Sequence, residues 1–101
     1  MVKKKMIKIE HWDSEVEMIL DMHERGFLPQ RYNHPPGTYF PPHTHDQDKI
    51  AAVFLGELRI VMVDETVILK AGDGILVPKG VVHSADVLGE QSVISVDAPK
   101  L

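Results

Sequence analysis

The sequence predicts an all-β fold, a small antiparallel sandwich or barrel, with one helix near the N-terminus. Three observations lead to this class. Only residues 13–25 show a helical pattern. Five of the seven prolines lie between Pro29 and Pro42, so that segment is extended. After Pro42, short runs of apolar and β-branched residues alternate with turn signals, as is typical of antiparallel strands.

The N-terminal part is predicted to contain an edge strand followed by the helix. Apolar and charged residues alternate over residues 7–10, which predicts a short edge strand. Asp13 or Ser14 can cap the start of the helix, and Gly26 ends it. An apolar stripe with helical spacing is expected to pack on the sheet, and it consists of Val16, Ile19, Leu20 and His23.

Six strands are predicted in the second half of the chain, and glycine or acidic residues separate most of them. They are Lys49–Leu55, Leu58–Val63, Thr66–Leu69, Ile75–Val77, Val81–His83 and Ser92–Val96.

The first of these strands has apolar residues on both faces. Ala51, Val53 and Leu55 share the face of Lys49 and are predicted to point inward. An outer row of Ile50, Ala52 and Phe54 then faces away from the interior. Because such a row is unusual on the surface of a monomer, we expect a second sheet or a partner subunit to cover it, and we predict a homodimer.

Composition excludes several classes of protein. The length of 101 residues predicts one domain, and the absence of cysteine excludes disulfides and thiolate metal sites. A net charge of −4 without a basic run beyond Lys5 predicts no nucleic-acid partner. The longest apolar run, residues 50–55, is too short to span a membrane, and no signal-peptide core follows the basic N-terminus. We therefore expect a cytoplasmic protein.

A pair of histidines is the first sign of metal chemistry. His43 and His45 are separated by one residue, so on a strand both side chains project to the same face. Two imidazoles placed in this way can bind one first-row metal ion. The pair by itself is equally compatible with a polar surface loop.

Two longer patterns surround this pair. The first is Gly37-x5-His43-x-His45-x3-Lys49-x6-Gly56, and the second is Gly72-x5-Pro78-x-Gly80-x2-His83-x3-Val87. Together they resemble the two motifs of the cupin superfamily over about residues 37–87, with eight of ten motif positions matched. Two positions differ, because Lys49 replaces the family's glutamate and Val87 its asparagine.

The resemblance implies a double-stranded β-helix, the jelly-roll barrel of cupins, in one domain of residues 1–101. An edge strand and helix would occupy residues 1–36 and the motif-bearing barrel residues 37–97. His43, His45 and His83 would then converge in the barrel mouth and hold a divalent Fe, Zn, Mn or Ni ion.

Lys49 leaves three interpretations of the site open, because a protonated lysine cannot ligate a cation. The three histidines alone hold the metal, with water in the open positions. Alternatively, an oxygen ligand from Gln47, Asp46 or Asp48 completes the site. In the third interpretation no metal binds, and Lys49 with the histidines holds an anionic ligand.

The predicted function depends on whether the site binds a metal. The metal site would serve an enzyme of the dioxygenase or isomerase type acting on a small molecule, whereas the metal-free pocket would belong to a binding or sensory protein or to an inactive relative. Lys49, Gln47 and Tyr39 are the candidate pocket residues. The other histidines, His11, His23 and His34, are interpreted as surface, packing and loop residues.

Overall fold

Two antiparallel sheets face each other, and one helix packs on the outside of the larger sheet. The computed structural model describes residues 7–101, and the predictions for residues 1–6 lie outside that range. The elements in chain order are β1 (Glu10–His11), α1 (Glu15–Glu24), β2 (Gln30–His34), β3 (Tyr39–His43), β4 (Lys49–Leu55), β5 (Glu57–Met62), β6 (Glu65–Leu69), β7 (Asp73–Val77), β8 (His83–Leu88) and β9 (Val93–Pro99).

The sheets have the strand orders β1-β7-β4-β9-β2 and β3-β8-β5-β6. This arrangement confirms the predicted all-β class with one N-terminal helix, and it is consistent with a double-stranded β-helix. Because β2 pairs with β9 along its whole length, the barrel includes residues that precede Gly37. No helix in the described part of the chain is long and apolar enough to cross a membrane.

Four of the six strands predicted after Pro42 agree with the observed ones to within two residues at each end, whereas β9 runs to Pro99 rather than to Val96. The proline-rich segment, predicted only as extended, contains β2 and β3. The edge strand is Glu10–His11 rather than residues 7–10, and Ile7 instead packs into the core between the sheets. The predicted strand Val81–His83 is wrong, because only His83 belongs to β8. The amide of Val81 donates to the carbonyl of Pro78, so the turn extends further and the strand begins later.

The ends of α1 follow the predicted signals. The Ser14 hydroxyl accepts a hydrogen bond from the amide of Glu17 at the N-terminus. At the C-terminus Gly26 has a φ of +84°, and the amide of Phe27 donates to the carbonyl of Met22. This is the Schellman arrangement, which satisfies the last carbonyl groups of a helix.

The predicted packing face of α1 is correct for Ile19, which packs against the cluster under the helix, but wrong for its other three residues. Val16 and Leu20 are 66% and 59% exposed, and His23 is exposed as well, whereas Met18 and Met22 are fully buried. Asp21 helps to fix the rotation of the helix, because its Oδ2 accepts hydrogen bonds from the Trp12 indole and from Arg25. Alternating apolar residues on both sides of α1 made this rotation ambiguous in the sequence.

The outer row of β4 is covered by the chain itself. Ile50 and Ala52 are buried in a cluster with Met18, Met22 and Phe27, so α1 takes the place that we had assigned to a second sheet or a partner. The homodimer stays a prediction, but the apolar outer row of β4 no longer supports it. The inward prediction fails for Leu55, which is exposed because the register of β4 and β9 shifts between Val53 and Leu55.

Candidate metal centre

The three motif histidines come together at the open end of the barrel. His43 on β3 lies directly opposite His83 on β8 in the strand register, and His45 follows β3 by two residues. One ring nitrogen of each histidine lies within 4.8 Å of the others. The predicted convergence of His43, His45 and His83 is confirmed.

Backbone carbonyls fix the tautomer of two of these rings. His43 Nδ1 lies 2.6 Å from the carbonyl oxygen of Pro41, and His83 Nδ1 lies 3.0 Å from that of Val81. A carbonyl only accepts hydrogen bonds, so each Nδ1 carries the proton and donates it. In the neutral ring Nε2 then keeps its lone pair, as a metal ligand requires.

The loop that carries His45 is tied to the second motif. The carbonyl of His45 accepts a hydrogen bond from the amide of Gly80 at 2.9 Å. The carboxylate of Asp48 accepts another from the amide of Lys79, also at 2.9 Å. The Pro-x-Gly turn of the second motif therefore holds the loop of the first, and this contact positions His45 beside His83.

The electrostatic environment favours neutral imidazoles. Burial lowers the pKa of His45, and the nearby Lys49 ammonium lowers it further. Burial also lowers the pKa of His83, against the opposing effect of its hydrogen bond to Val81. A lowered pKa keeps both rings unprotonated at neutral pH, and the unprotonated ring is the form that binds metal.

A cavity of about 280 Å³ extends from the histidines into the barrel. Side chains from both sheets form its apolar part, among them Phe40, Ala51, Leu58, Ile60 and Ala85. Its polar residues besides the three histidines include His34, Lys49, Ser95 and Asp97.

Lys49 lies in this cavity as predicted, but it is paired. Its Nζ is 2.6 Å from Oδ2 of Asp97, and the side chains of Lys49 and Asp97 are only 18% and 28% exposed. The positive charge of Lys49 is therefore balanced by a carboxylate on the neighbouring strand β9.

The other candidate site residues lie elsewhere. Gln47 donates to the backbone carbonyl of Lys100, and Asp48 holds the Lys79 amide as described above. Asp46 is exposed. Tyr39 is 61% exposed and absent from the cavity wall, which its neighbour Phe40 joins instead. Among the described residues, the ligand group consists of the three histidines.

Sequence reasoning missed His34, Ser95 and Asp97. His34 is on strand β2 rather than in a loop, and its Nε2 lies 3.2 Å from the Ser95 hydroxyl. A signal for the other two was present, because Ser95 and Asp97 alternate with the apolar Val96 and Ala98. This pattern indicates a strand with one polar and one apolar buried face.

Comparison with known families decides the classification of this fold and site. Residues 30–98 match the family model of the cupin domain, Cupin_2. The chain belongs to the cupin family. This assignment confirms the resemblance drawn from the two motifs.

Comparison with individual proteins shows how far the similarity extends. An uncharacterised protein of Bacillus subtilis strain 168, YdbB, is 48% identical over 48 residues, which cover 46% of this chain and 42% of YdbB. A predicted oxalate decarboxylase from Thermotoga maritima is 26% identical with a TM-score of 0.67, over 94% of this chain and 80% of that structure. KdgF from a Halomonas species is 19% identical with a TM-score of 0.65, over 94% and 81%. The last likeness concerns the fold alone.

Proposed function

We propose that this cupin binds a divalent first-row metal ion through Nε2 of His43, His45 and His83 and uses it in a reaction on a small molecule. The observation that carries the proposal is the pair of Nδ1 hydrogen bonds to backbone carbonyls, which leave Nε2 of His43 and His83 as lone-pair donors in a group whose ligand atoms lie within 4.8 Å of one another. Three neutral nitrogen donors suit Fe, Zn, Mn or Ni.

The donor set also leaves room for a substrate. Three protein ligands with open positions are typical of catalytic rather than structural metal sites. When bound, the ion supplies Lewis-acid chemistry, or oxygen activation if it is iron. The apolar wall formed by Leu58, Ile60 and Ala85 limits water around the substrate, and the paired strands β3 and β8 hold His43 and His83.

For the reaction we propose the dioxygenase or isomerase type. The likeness to a predicted oxalate decarboxylase from Thermotoga maritima supports a reaction on a small carboxylate compound. We also propose that the protein works in the cytoplasm without a nucleic-acid or membrane partner.

Removing one ligand should abolish metal binding. We expect wild-type protein prepared without a histidine tag to bind stoichiometric metal, and His83→Ala to bind it at least about 100-fold more weakly. Metal content and the thermal shift with zinc, nickel, manganese and iron measure this effect. His23→Ala is the matched control, because His23 is an exposed histidine at the end of α1. A wild-type protein that ignores all four metals would refute the proposal.

Restoring the family's glutamate should strengthen metal binding. In Lys49→Glu a carboxylate replaces an ammonium at the cavity wall, so we expect metal affinity to rise by about tenfold or more. The new carboxylate also lies beside Asp97, and like charges repel. The metal-free variant should therefore melt at a lower temperature than wild type, and metal should reverse the loss. Unchanged affinity would mean that position 49 does not influence the metal.

A metal-free binding protein is the second candidate, because Lys49 lines the cavity together with the histidines. In that case Lys49→Met should weaken binding of small anions such as acetate and phosphate, and metal should have no effect. The ion pair with Asp97 opposes this candidate, since it cancels the charge that would attract an anion.

A further inference from the structure

The cavity wall formed by the larger sheet carries polar groups that the metal centre does not use. Ser95 and Asp97 on β9 line the cavity, as does Lys49 on the adjacent strand β4. The histidines lie on and beside the smaller sheet, so the cavity has a metal-ligating side and a second polar side. Polar side chains in a partly buried wall are costly unless they have partners, and here each is paired within the wall.

The first pair is Lys49 with Asp97. Its net charge is zero, so it attracts neither anions nor cations strongly. Lys49 has three N–H donors and Asp97 about four acceptor sites, so one mutual contact leaves donors and acceptors of both partners available. A group that donates to Asp97 and accepts from Lys49 at the same time would satisfy both.

The second pair is Ser95 with His34, whose contact is 3.2 Å long. Ser95 precedes Asp97 by two residues on the same face of β9, a separation of about 7 Å along the strand. The hydroxyl of Ser95 and the ring of His34 again combine donor and acceptor capacity. The wall therefore presents two donor–acceptor pairs, one between β4 and β9 and the other between β9 and β2.

We propose that these four residues, Lys49, Asp97, Ser95 and His34, form a hydroxyl subsite that binds a small polyhydroxylated compound. A hydroxyl group can donate to Asp97 and accept from Lys49. A carboxylate would be repelled by Asp97 and an ammonium group by Lys49. An apolar group would leave the remaining donors and acceptors of this ion pair unsatisfied. The two pairs call for hydroxyl groups at two positions of the ligand.

The surroundings of the subsite fit the same class of ligand. The Tyr32 and His34 rings are stacked with centroids 6.0 Å apart, and the Phe40 ring lies 5.0 Å from His34. These rings offer apolar faces to the carbon skeleton of a polyol. The cavity of about 280 Å³ restricts the ligand to a small compound.

A carboxylate on the same ligand would reach the metal centre, and this part of the inference rests on the proposed function. We therefore expect the physiological ligand to be a small hydroxylated acid, with its hydroxyl groups on the larger sheet and its carboxylate toward the three histidines.

The test compares the binding of two acids of the same length, 3,4-dihydroxybutyrate and butyrate. Neither has a 2-hydroxyl group, which together with the carboxylate would chelate the metal. Dissociation constants are measured by NMR titration on the full chain, both with zinc and without it. We expect the dihydroxy acid to bind about tenfold or more tightly in both forms, because hydrogen bonds to charged groups contribute strongly. Equal dissociation constants would overturn the subsite.

Paired substitutions locate the effect. Lys49→Met/Asp97→Leu removes the ion pair without leaving a lone charge, and it should bring the ratio of the two dissociation constants close to one. The control is Arg59→Met/Asp86→Leu, which removes an exposed ion pair outside the cavity and should leave the ratio unchanged. A hydroxyl preference that survives Lys49→Met/Asp97→Leu would overturn the subsite.

The two proposals fail in different ways. The dependence of butyrate binding on zinc tests the metal centre, because butyrate has only its carboxylate to offer. The ratio between the two acids tests the hydroxyl subsite, because its residues are not metal ligands. Zinc-independent butyrate binding with a preserved ratio would remove the metal from the proposal and leave the subsite in place.

Discussion

The two faces of strand β9 have opposite functions although they are built from neighbouring residues. Val96 and Ala98 are fully buried against α1, in a cluster that consists of apolar side chains. Ser95 and Asp97 point the other way and line the cavity with polar groups. A shift of one residue along the strand separates the packed face from the candidate site.

This difference shows how a small barrel can contain a polar cavity. The helix-covered face gains stability from close packing, since Met18, Met22 and Ile50 are completely buried there. The cavity face binds its polar groups in pairs and leaves space between the sheets. We infer that packing under α1 stabilises the barrel, and that substitutions on the two faces have different costs.

The largest expected effect comes from removing a packed side chain on the helix-covered face. Met22→Ala should lower the free energy of unfolding by about 2–5 kcal/mol, because it creates a cavity under α1. Urea unfolding measures the change, and zinc binding to the folded variant should stay the same. Leu20→Ala is the matched control on the exposed side of the helix, with an expected change within about 0.5 kcal/mol. Equal losses for the two variants would contradict the comparison.

Adding a single hydroxyl group is expected to have different costs on the two faces of strand β4. Ala52→Ser places it in the apolar cluster under α1, and burial without a partner should cost about 1–3 kcal/mol. Ala51→Ser places it one residue earlier on the same strand, in the cavity, where the expected cost is below about 0.5 kcal/mol. Thermal or urea unfolding of the two variants measures these costs. A larger loss of stability for Ala51→Ser than for Ala52→Ser would mean that the two faces are assigned wrongly.

The smallest expected effect lies in the β5–β6 turn, away from both faces. Val63 and Asp64 have φ angles of +54° and +60°, which suit a two-residue hairpin turn but strain the β-branched Val63. Val63→Asn should therefore raise the free energy of unfolding by about 0.5–1 kcal/mol. Neither metal affinity nor the hydroxyl preference should change, and a loss of stability would show that the valine side chain contributes to packing.

Much of the candidate site could be predicted from the sequence because its motifs are local. The spacing of His43 and His45 places them on one side of the chain, and the motif glycines Gly56 and Gly72 have the positive φ angles that tight turns require. The limits of β4 were also predictable, since its seven residues form one continuous run between turn signals.

Other features depend on contacts between distant parts of the chain. Leu55 is exposed because the register of β4 shifts against β9, and no pattern within β4 indicates this shift. Gln47, two residues after His45, was a candidate oxygen ligand, but its amide donates to the carbonyl of Lys100, 53 residues away. The partner of Lys49 is Asp97, which belongs to the neighbouring strand.

The sequence by itself determined the all-β class, the cupin motifs and the three histidines, because strand periodicity and turn chemistry act over a few residues. The tertiary structure decided which face of α1 is buried, what covers the outer row of β4, and how the charge of Lys49 is balanced. Each of these features depends on which surfaces of the helix and strands pack together. That arrangement is determined by packing and pairing between residues far apart in the chain, which local propensity does not specify.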